Sequence, residues 1–231
     1  MKIKYINHAC FLIEINKTKI VIDPYVETEE QIQAIKNADF ALLTHGHSDH
    51  TEGIKYLNKN VTIITNFELS QCLSHNFNTI GMNFGGEVTF NFNGEKVKIA
   101  MVKALHTSSY TFDNKVLNGG VACGFIIKSN QGVLYHMGDT DIFCDMKLIC
   151  DYYKPNVICM PIGNHYTMGI EKALYAINTN LIKTDKIIPM HYNLVTEKHY
   201  PIDINKKEMD DFIKKSKIKI ERLNLLQEIE I

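Results

Sequence analysis

The sequence has no Cys-x-x-Cys pair, no apolar run of membrane-spanning length and no charge excess of either sign. Each absence removes a class of protein. The six cysteines, at positions 10, 72, 123, 144, 150 and 159, follow no disulfide-framework spacing. Most lie in apolar surroundings such as VACGFII and NVICMPI, which reads as buried, reduced thiols of a cytosolic protein. With 25 basic and 26 acidic residues, the formal net charge is −1. Such a balance sets up no field for nucleic acid or an anionic membrane. The first stretch, MKIKYINHACFLIEI, alternates and carries charge, so it is expected to be neither a signal peptide nor a membrane span. The cytoplasm is the expected location. There is also no low-complexity segment, no Pro/Gly/Ser linker and no internal repeat. The 231 residues, 45% hydrophobic and 22% charged, are expected to form one domain over 1–231, with homo-oligomerisation left open.

What is there reads as alternating β and α. KIKYI, CFLIEI and TKIVID are strand-like, with Asn16-Lys17 as the turn between the second and third. TEEQIQAIKNA reads as a helix capped by Thr28. DFALLTH and VTIIT are continuous apolar runs suited to strands buried on both faces, and a helix through FELSQCLSHNF follows. EVTFNF, KVKIAMVKA, ACGFIIKS and GVLYHMG are strands, with a turn at Asn93-Gly94. The last third alternates the strands NVICMPI and KIIPMH with helices in GIEKALYAINTNLI and NKKEMDDFIKKS. Two βαβ-like halves with extra antiparallel strands imply an α/β protein built as a four-layer αββα sandwich.

Three of the ten histidines fall within THGHSDH, directly after the apolar run DFALL. A lone loop histidine is more often simply solvated. His-x-His-x-Asp-His at the end of a buried strand is a different matter. His45 and His47 can converge on one cation, while Asp49 and His50, on the start of the next helix, could hold a second. The mixture of imidazole and carboxylate suits zinc, iron or manganese better than calcium. Three further strand ends finish in donors of the same kind: His106 after KIAMVKAL, Asp139 after GVLYHMG, and His191 after KIIPM. Six or seven donors can fill two metal sites with room left for water or substrate.

His-x-His-x-Asp-His followed by a single His, Asp and His at strand ends resembles the metallo-β-lactamase superfamily. The resemblance is closest to its uncharacterised metal-dependent hydrolase family, through NHACFLIE, IVIDPY, THGHSDH, YHMGDTDIF, PIGNHYTMG and IPMHY. It covers nearly the whole chain and implies the αββα fold of that superfamily. It also implies His45, His47 and His106 on one divalent ion, Asp49, His50 and His191 on another, and Asp139 bridging them. The ions are expected to be zinc, with manganese, iron or nickel as alternatives. The implied activity is hydrolysis of a small ester, lactone or phosphodiester by a metal-bound hydroxide, Asp49 handling the proton.

Around these ligands, Asp23 in VIDPY reads as a partner of a ligand histidine or of the THGHSDH loop, or else as a turn-forming Asp before Pro24. His8 reads as a pocket residue or as a satisfied core histidine. The loop PIGNHYTMG reads as functional: Asn164 near the pocket, and His165 as a substrate contact or general acid. His75, His136 and His199 read as structural, His136 sharing a strand face with Gly138 opposite to Asp139. The expected partner is a small molecule, with neither nucleic acid nor membrane. Three other readings compete: a nuclease acting on RNA, a di-iron redox protein, and a non-catalytic metal- or ligand-binding module. The redox reading would need a carboxylate where His47 stands and an attached flavin domain, which is not expected here.

Overall fold

The structure, a computed structural model, describes residues 1–194 and 202–231. His199 lies outside the described residues. The first half of the chain supplies strands β1 (Lys2–Asn7), β2 (Cys10–Ile15), β3 (Thr18–Ile22), β4 (Phe40–Leu42), β5 (Thr62–Asn66) and β6 (Asn78–Met82). Between them run helices α1 (Glu29–Ile35), α2 (Ser48–Thr51) and α3 (Phe67–Leu73). Then come β7 (Glu87–Phe92), β8 (Glu95–Lys103), a hairpin of β9 (Ser109–Phe112) and β10 (Lys115–Asn118), β11 (Cys123–Ser129) and β12 (Gly132–His136). Helix α4 (Met146–Tyr153), β13 (Val157–Pro161), α5 (Ile170–Asn178) and β14 (Lys186–Met190) follow. The chain closes with β15 (Asn193–Leu194), β16 (Ile202–Asp203), α6 (Lys206–Lys215), β17 (Lys219–Ile220) and β18 (Glu228–Glu230).

Local chemistry accounts for the frame. Asn16 and Lys17 (φ 47° and 70°) close the β2–β3 hairpin, and Asn93 and Gly94 (φ 51° and 92°) close β7–β8. Two successive positive φ values give the turn whose twist matches antiparallel strands. Thr28 starts α1 through a capping box with Gln31, and Asn205 does the same for α6 with Glu208.

Two seven-stranded sheets result, in the orders β18-β1-β2-β3-β4-β5-β6 and β17-β14-β13-β12-β11-β8-β7. Each is antiparallel on one side and parallel on the other. Strand alternation splits their side chains between cores. In β2, Phe11, Ile13 and Ile15 enter the layer between the sheets, while Cys10 and Leu12 face the helices outside. In β8, Val97, Ile99 and Met101 point inward, and Ala100 and Val102 pack toward α4 and α5. Outer clusters with Ile35, Leu69 and Leu73 on one side, and Met146, Ala173 and Phe212 on the other, complete the order helix, sheet, sheet, helix. This is the expected αββα sandwich.

Helix α4, strand β6 and the β9–β10 hairpin, like the short strands β15 to β18, lie where the sequence pattern marks no element. Helix α4 buries Met146, Ile149 and Cys150 at helical spacing, but its β-branched, Cys and Tyr residues weaken its helical signature. Strand β6 lies at a sheet edge and is only partly buried, so alternation is faint. The β9–β10 hairpin forms its own two-stranded sheet after His106. No helix among the described residues is long and apolar enough to cross a membrane.

Candidate metal centre

Six strand ends from both sheets meet at one edge of the sandwich. β1 leads to His8, β3 to Asp23, β4 to His45, β8 to His106, β12 to Asp139 and β14 to His191. Loops beyond strand ends are where α/β sheets gather chemistry. The short helix α2 adds Asp49 and His50.

His45, His47 and His106 form one group, their donor atoms all within 4.8 Å of one another. The rings stand nearly edge-on, with centroids 4.5 Å apart for His45 and His47 and 5.0 Å for His45 and His106. A second group, under the same 4.8 Å limit, joins Asp49, His50 and His191 with His8. Asp139 stands between the groups. Its Oδ2 lies 3.0 Å from His191 Nε2, 3.4 Å from His50 Nε2, 3.6 Å from His106 Nε2 and 3.9 Å from His45 Nε2. One carboxylate oxygen thus faces four imidazoles drawn from both groups.

A hydrogen-bond relay sets the tautomers. Asp23, fully buried, accepts from Thr44 N at 2.8 Å and from Thr44 Oγ1 at 2.7 Å. His50 Nδ1 stands 2.8 Å from the same carboxylate and donates to it. The Thr44 hydroxyl has given its proton to Asp23, so it accepts from His45 Nδ1 at 3.0 Å. In the neutral form of each ring the Nε2 lone pair then faces Asp139, the arrangement a metal ligand needs once a cation has displaced the second proton of His50. Thr44 was invisible to motif reading, because its part depends on Asp23, 21 positions away. Gly138 lets the Asp139 loop come this close. It has φ 63°, and a Cβ there would strike the Cys123 carbonyl and lie 3.0 Å from Thr44 Cβ.

His8 is buried. Its Nε2 is 3.2 Å from Asp49 Oδ2, and its ring centroid is 3.9 Å from that of His191. Its carbonyl accepts from His191 N at 3.1 Å and from Tyr5 Oη at 3.2 Å. His8, Asp23 and His191 all have left-handed backbone, with φ 51°, 46° and 55°. Such residues cost about 1 kcal/mol or more each and collect at functional sites.

Burial dominates the electrostatics of His45, His47 and His106 and keeps all three neutral, helped by repulsion from neighbouring imidazoles. Burial works the same way on His191, but Asp139 and Asp49 outweigh it and raise its pKa to about 9. His50 rises for the same reason. Burial disfavours the ionised form of Asp49 and Asp139, yet His50 and His191 hold both far below the carboxylate range. His50 Nε2, His191 Nε2 and Asp139 Oδ1 are buried without a hydrogen-bond partner among the described residues. An unmade buried polar bond costs about 1–3 kcal/mol. Converging nitrogen and carboxylate donors with unspent lone pairs fit divalent cations.

A cavity of about 470 Å³ opens over His47, Asp49, His106 and Asp139, with Tyr110 and Tyr166 in its wall. The loop expected to bring His165 and Asn164 into the pocket does otherwise. Both are exposed, and neither lines this cavity; Asn164 lines a separate depression with Glu171 and Lys172. Asn164 is left-handed (φ 70°), and Tyr166 is the residue of this loop that lines the cavity. His75 is exposed. His136 is a buried structural residue, its Nε2 2.9 Å from the Ala9 carbonyl and its Nδ1 accepting from Gly138 N at 3.2 Å.

A family model described as a beta-lactamase superfamily domain matches residues 2–191. A UPF0173 metal-dependent hydrolase of Nanoarchaeum equitans is 41% identical over 196 residues, 84% of each chain. Among solved structures, Igni18, a metallo hydrolase of the hyperthermophilic archaeon Ignicoccus hospitalis, superposes with a TM-score of 0.82 at 29% identity, covering 100% of this chain and 97% of that one. The metallo-beta-lactamase fold protein YhfI of Bacillus subtilis superposes with a TM-score of 0.75 at 9% identity, covering 100% and 98%, a likeness of fold.

Proposed function

This chain belongs to the beta-lactamase superfamily and is a metal-dependent hydrolase, and from that premise we propose that it cleaves a small ester, lactone or phosphodiester at the cavity over Asp139. His45, His47 and His106 would hold one divalent ion; Asp49, His50 and His191 would hold the other, with Asp139 shared. Zinc suits this nitrogen-rich set, and manganese, iron and nickel compete for it. Bound there, the ions supply Lewis acidity, acidifying water and polarising the scissile bond.

The chain's own groups supply the rest. Asp49 lines the cavity, and its Oδ2 lies within 3.2–3.7 Å of His8, His50 and His191 nitrogens. A carboxylate held so firmly ionised is a poor store for a proton. It accepts a hydrogen bond from the attacking water and aims it, and the proton passes on to the departing oxygen. The Tyr166 hydroxyl, in the cavity wall, is the group we assign to that oxygen in place of His165.

The observation that carries this reading is the single Asp139 oxygen set between two histidine groups. The test is turnover by the metal-loaded protein on p-nitrophenyl acetate, a simple lactone and bis(p-nitrophenyl) phosphate. Hydrolysis of at least one, abolished by a chelator, is expected. Full metal occupancy with no turnover on any would instead make the chain a non-catalytic binding module. We take the partner to be a small molecule, because a net charge of −1 offers RNA no electrostatic footprint.

A further inference from the structure

The wall of the cavity narrows the substrate further; the inference rests on the hydrolase reading and sharpens it. Among the described residues, apart from the His/Asp cluster and Gly46, every side chain lining the cavity ends in a hydroxyl. Ser109, Tyr110 and Thr111 come from β9, joined by Ser48, Thr51, Thr107 and Tyr166. Thr51 is committed, its Oγ1 donating to the His47 carbonyl at 3.0 Å. The hydroxyls of Ser48, Thr107, Ser109, Tyr110 and Thr111 have no protein hydrogen-bond partner among the described residues.

The β9 wall is held firmly to the metal-binding loop. Ser108 Oγ donates to the Gly119 carbonyl at 2.7 Å and accepts from Gly46 N at 3.2 Å. Asn66 Nδ2 donates to the carbonyls of Gly119 at 2.7 Å and Val121 at 3.0 Å. The loop and strand approach so closely that a Cβ on Gly46 would lie 2.6 Å from the Ser109 carbonyl oxygen. So Ser109–Thr111 stand at a fixed distance from His45 and His47, while farther along the hairpin Phe112 and Val116 are 47% and 74% exposed.

A hydroxyl is both donor and acceptor and carries no charge. The apolar surface of this wall is confined to threonine methyls, tyrosine rings and imidazole edges, and no aliphatic side chain among the described lining residues seats an alkyl chain. Among the described residues no Lys or Arg lines the cavity to neutralise a second anionic group. What such a wall matches is other hydroxyls. A site built to hydrogen-bond a substrate hydroxyl also discriminates against the analogue lacking it far better than an apolar pocket judges size. We infer that the substrate is a carboxylic ester or lactone bearing free hydroxyls beside the scissile carbonyl, and that Ser109 and Thr111, which share one face of β9, read those hydroxyls, while the Tyr110 ring packs against the outer cluster with Leu69 and Leu73. The reaction balances with water alone. Water oxygen bonds to the carbonyl carbon, the acyl C–O bond breaks, and the departing alkoxide takes the proton, giving a hydroxy acid from a lactone.

The test compares glucono-1,5-lactone with δ-valerolactone, two six-membered lactones that differ in their hydroxyls, using the metal-loaded full chain. Each rate is divided by the uncatalysed rate. The hydroxylated lactone is expected to show at least about tenfold higher normalised kcat/KM. Ser109→Ala and Thr111→Val should each lower kcat/KM for it by about three- to tenfold, the worth of one hydrogen bond, with a smaller effect on valerolactone and unchanged metal content. Equal turnover of both lactones, or variants that slow both alike, would overturn the inference and leave the hydrolase reading standing. Turnover of bis(p-nitrophenyl) phosphate but of neither lactone would do the same. No turnover of any of the three, nor of p-nitrophenyl acetate, at full metal occupancy would remove both.

Discussion

His50 Nδ1 stands 2.8 Å from Asp23 Oδ2, and both side chains are fully buried. That contact decides which nitrogen of His50 is free, and through Thr44 it also decides which nitrogen of His45 is free. Asp23, fully buried, thus prepares ligands for both groups.

Asp23→Asn tests this directly. An amide in place of the carboxylate removes the charge that favours Nδ1–H on His50. Partners of this kind are worth about 10- to 100-fold in metal affinity. Chelator competition should register a loss of that size with the circular dichroism spectrum retained. Wild-type affinity would mean the relay sets nothing.

His8 reaches Asp49 across 41 positions of sequence, its Nε2 3.2 Å from Oδ2. His8→Ala frees the carboxylate to rotate and should lower kcat by about tenfold, within the range for a misaimed group. His8→Gln puts an amide nitrogen near the same point and should restore much of the loss. Equal damage from Ala and Gln would show that bulk, rather than the hydrogen bond, matters.

Metal binding should release protons. In the metal-free protein Asp139 and Asp49 keep His191 protonated up to about pH 9, and His50 is raised likewise. A cation must displace those protons, so apparent affinity rises with pH and levels off only above the His191 value. Calorimetry in buffers of different ionisation enthalpy at pH 7 should report net proton release. Proton uptake, or affinity falling as pH rises, contradicts the electrostatics derived above.

Tyr166 and His165 are adjacent, with ring centroids 4.5 Å apart, yet only Tyr166 lines the cavity. Tyr166→Phe should lower kcat on substrates with poor leaving groups by about 10- to 100-fold and spare activated p-nitrophenyl esters. His165→Ala should stay within about threefold of wild type, a surface-scale effect. Reversed outcomes would return the leaving-group assignment to His165.

Much of this was legible in the chain. THGHSDH follows a buried apolar run, and apolar periodicity also located the strands ending at His106, Asp139 and His191. Strand ends in a layered α/β fold converge, so order along the sequence became proximity in space. What stayed hidden depends on packing between distant segments. Thr44 matters only because β3 delivers Asp23 beside it. His8 touches Asp49 only because the β1–β2 turn abuts the His191 turn, whose amide it binds. In the loop carrying Asn164, which turns at that left-handed residue, Tyr166 rather than His165 lines the cavity, a choice that depends on loop geometry and not on sequence pattern. The β9–β10 hairpin was masked by its exposed residues, which carry little alternation.

The central claim is that imidazoles and carboxylates from both sheets share a pair of cations through Asp139. Metal content after equilibrium dialysis, read by plasma mass spectrometry, tests it most directly. Two divalent ions per wild-type chain are expected, one lost from His47→Ala, and both weakened in Asp139→Ala with the fold intact. A wild-type chain that retains no metal, or an Asp139→Ala variant that holds two ions as tightly as wild type, would contradict it.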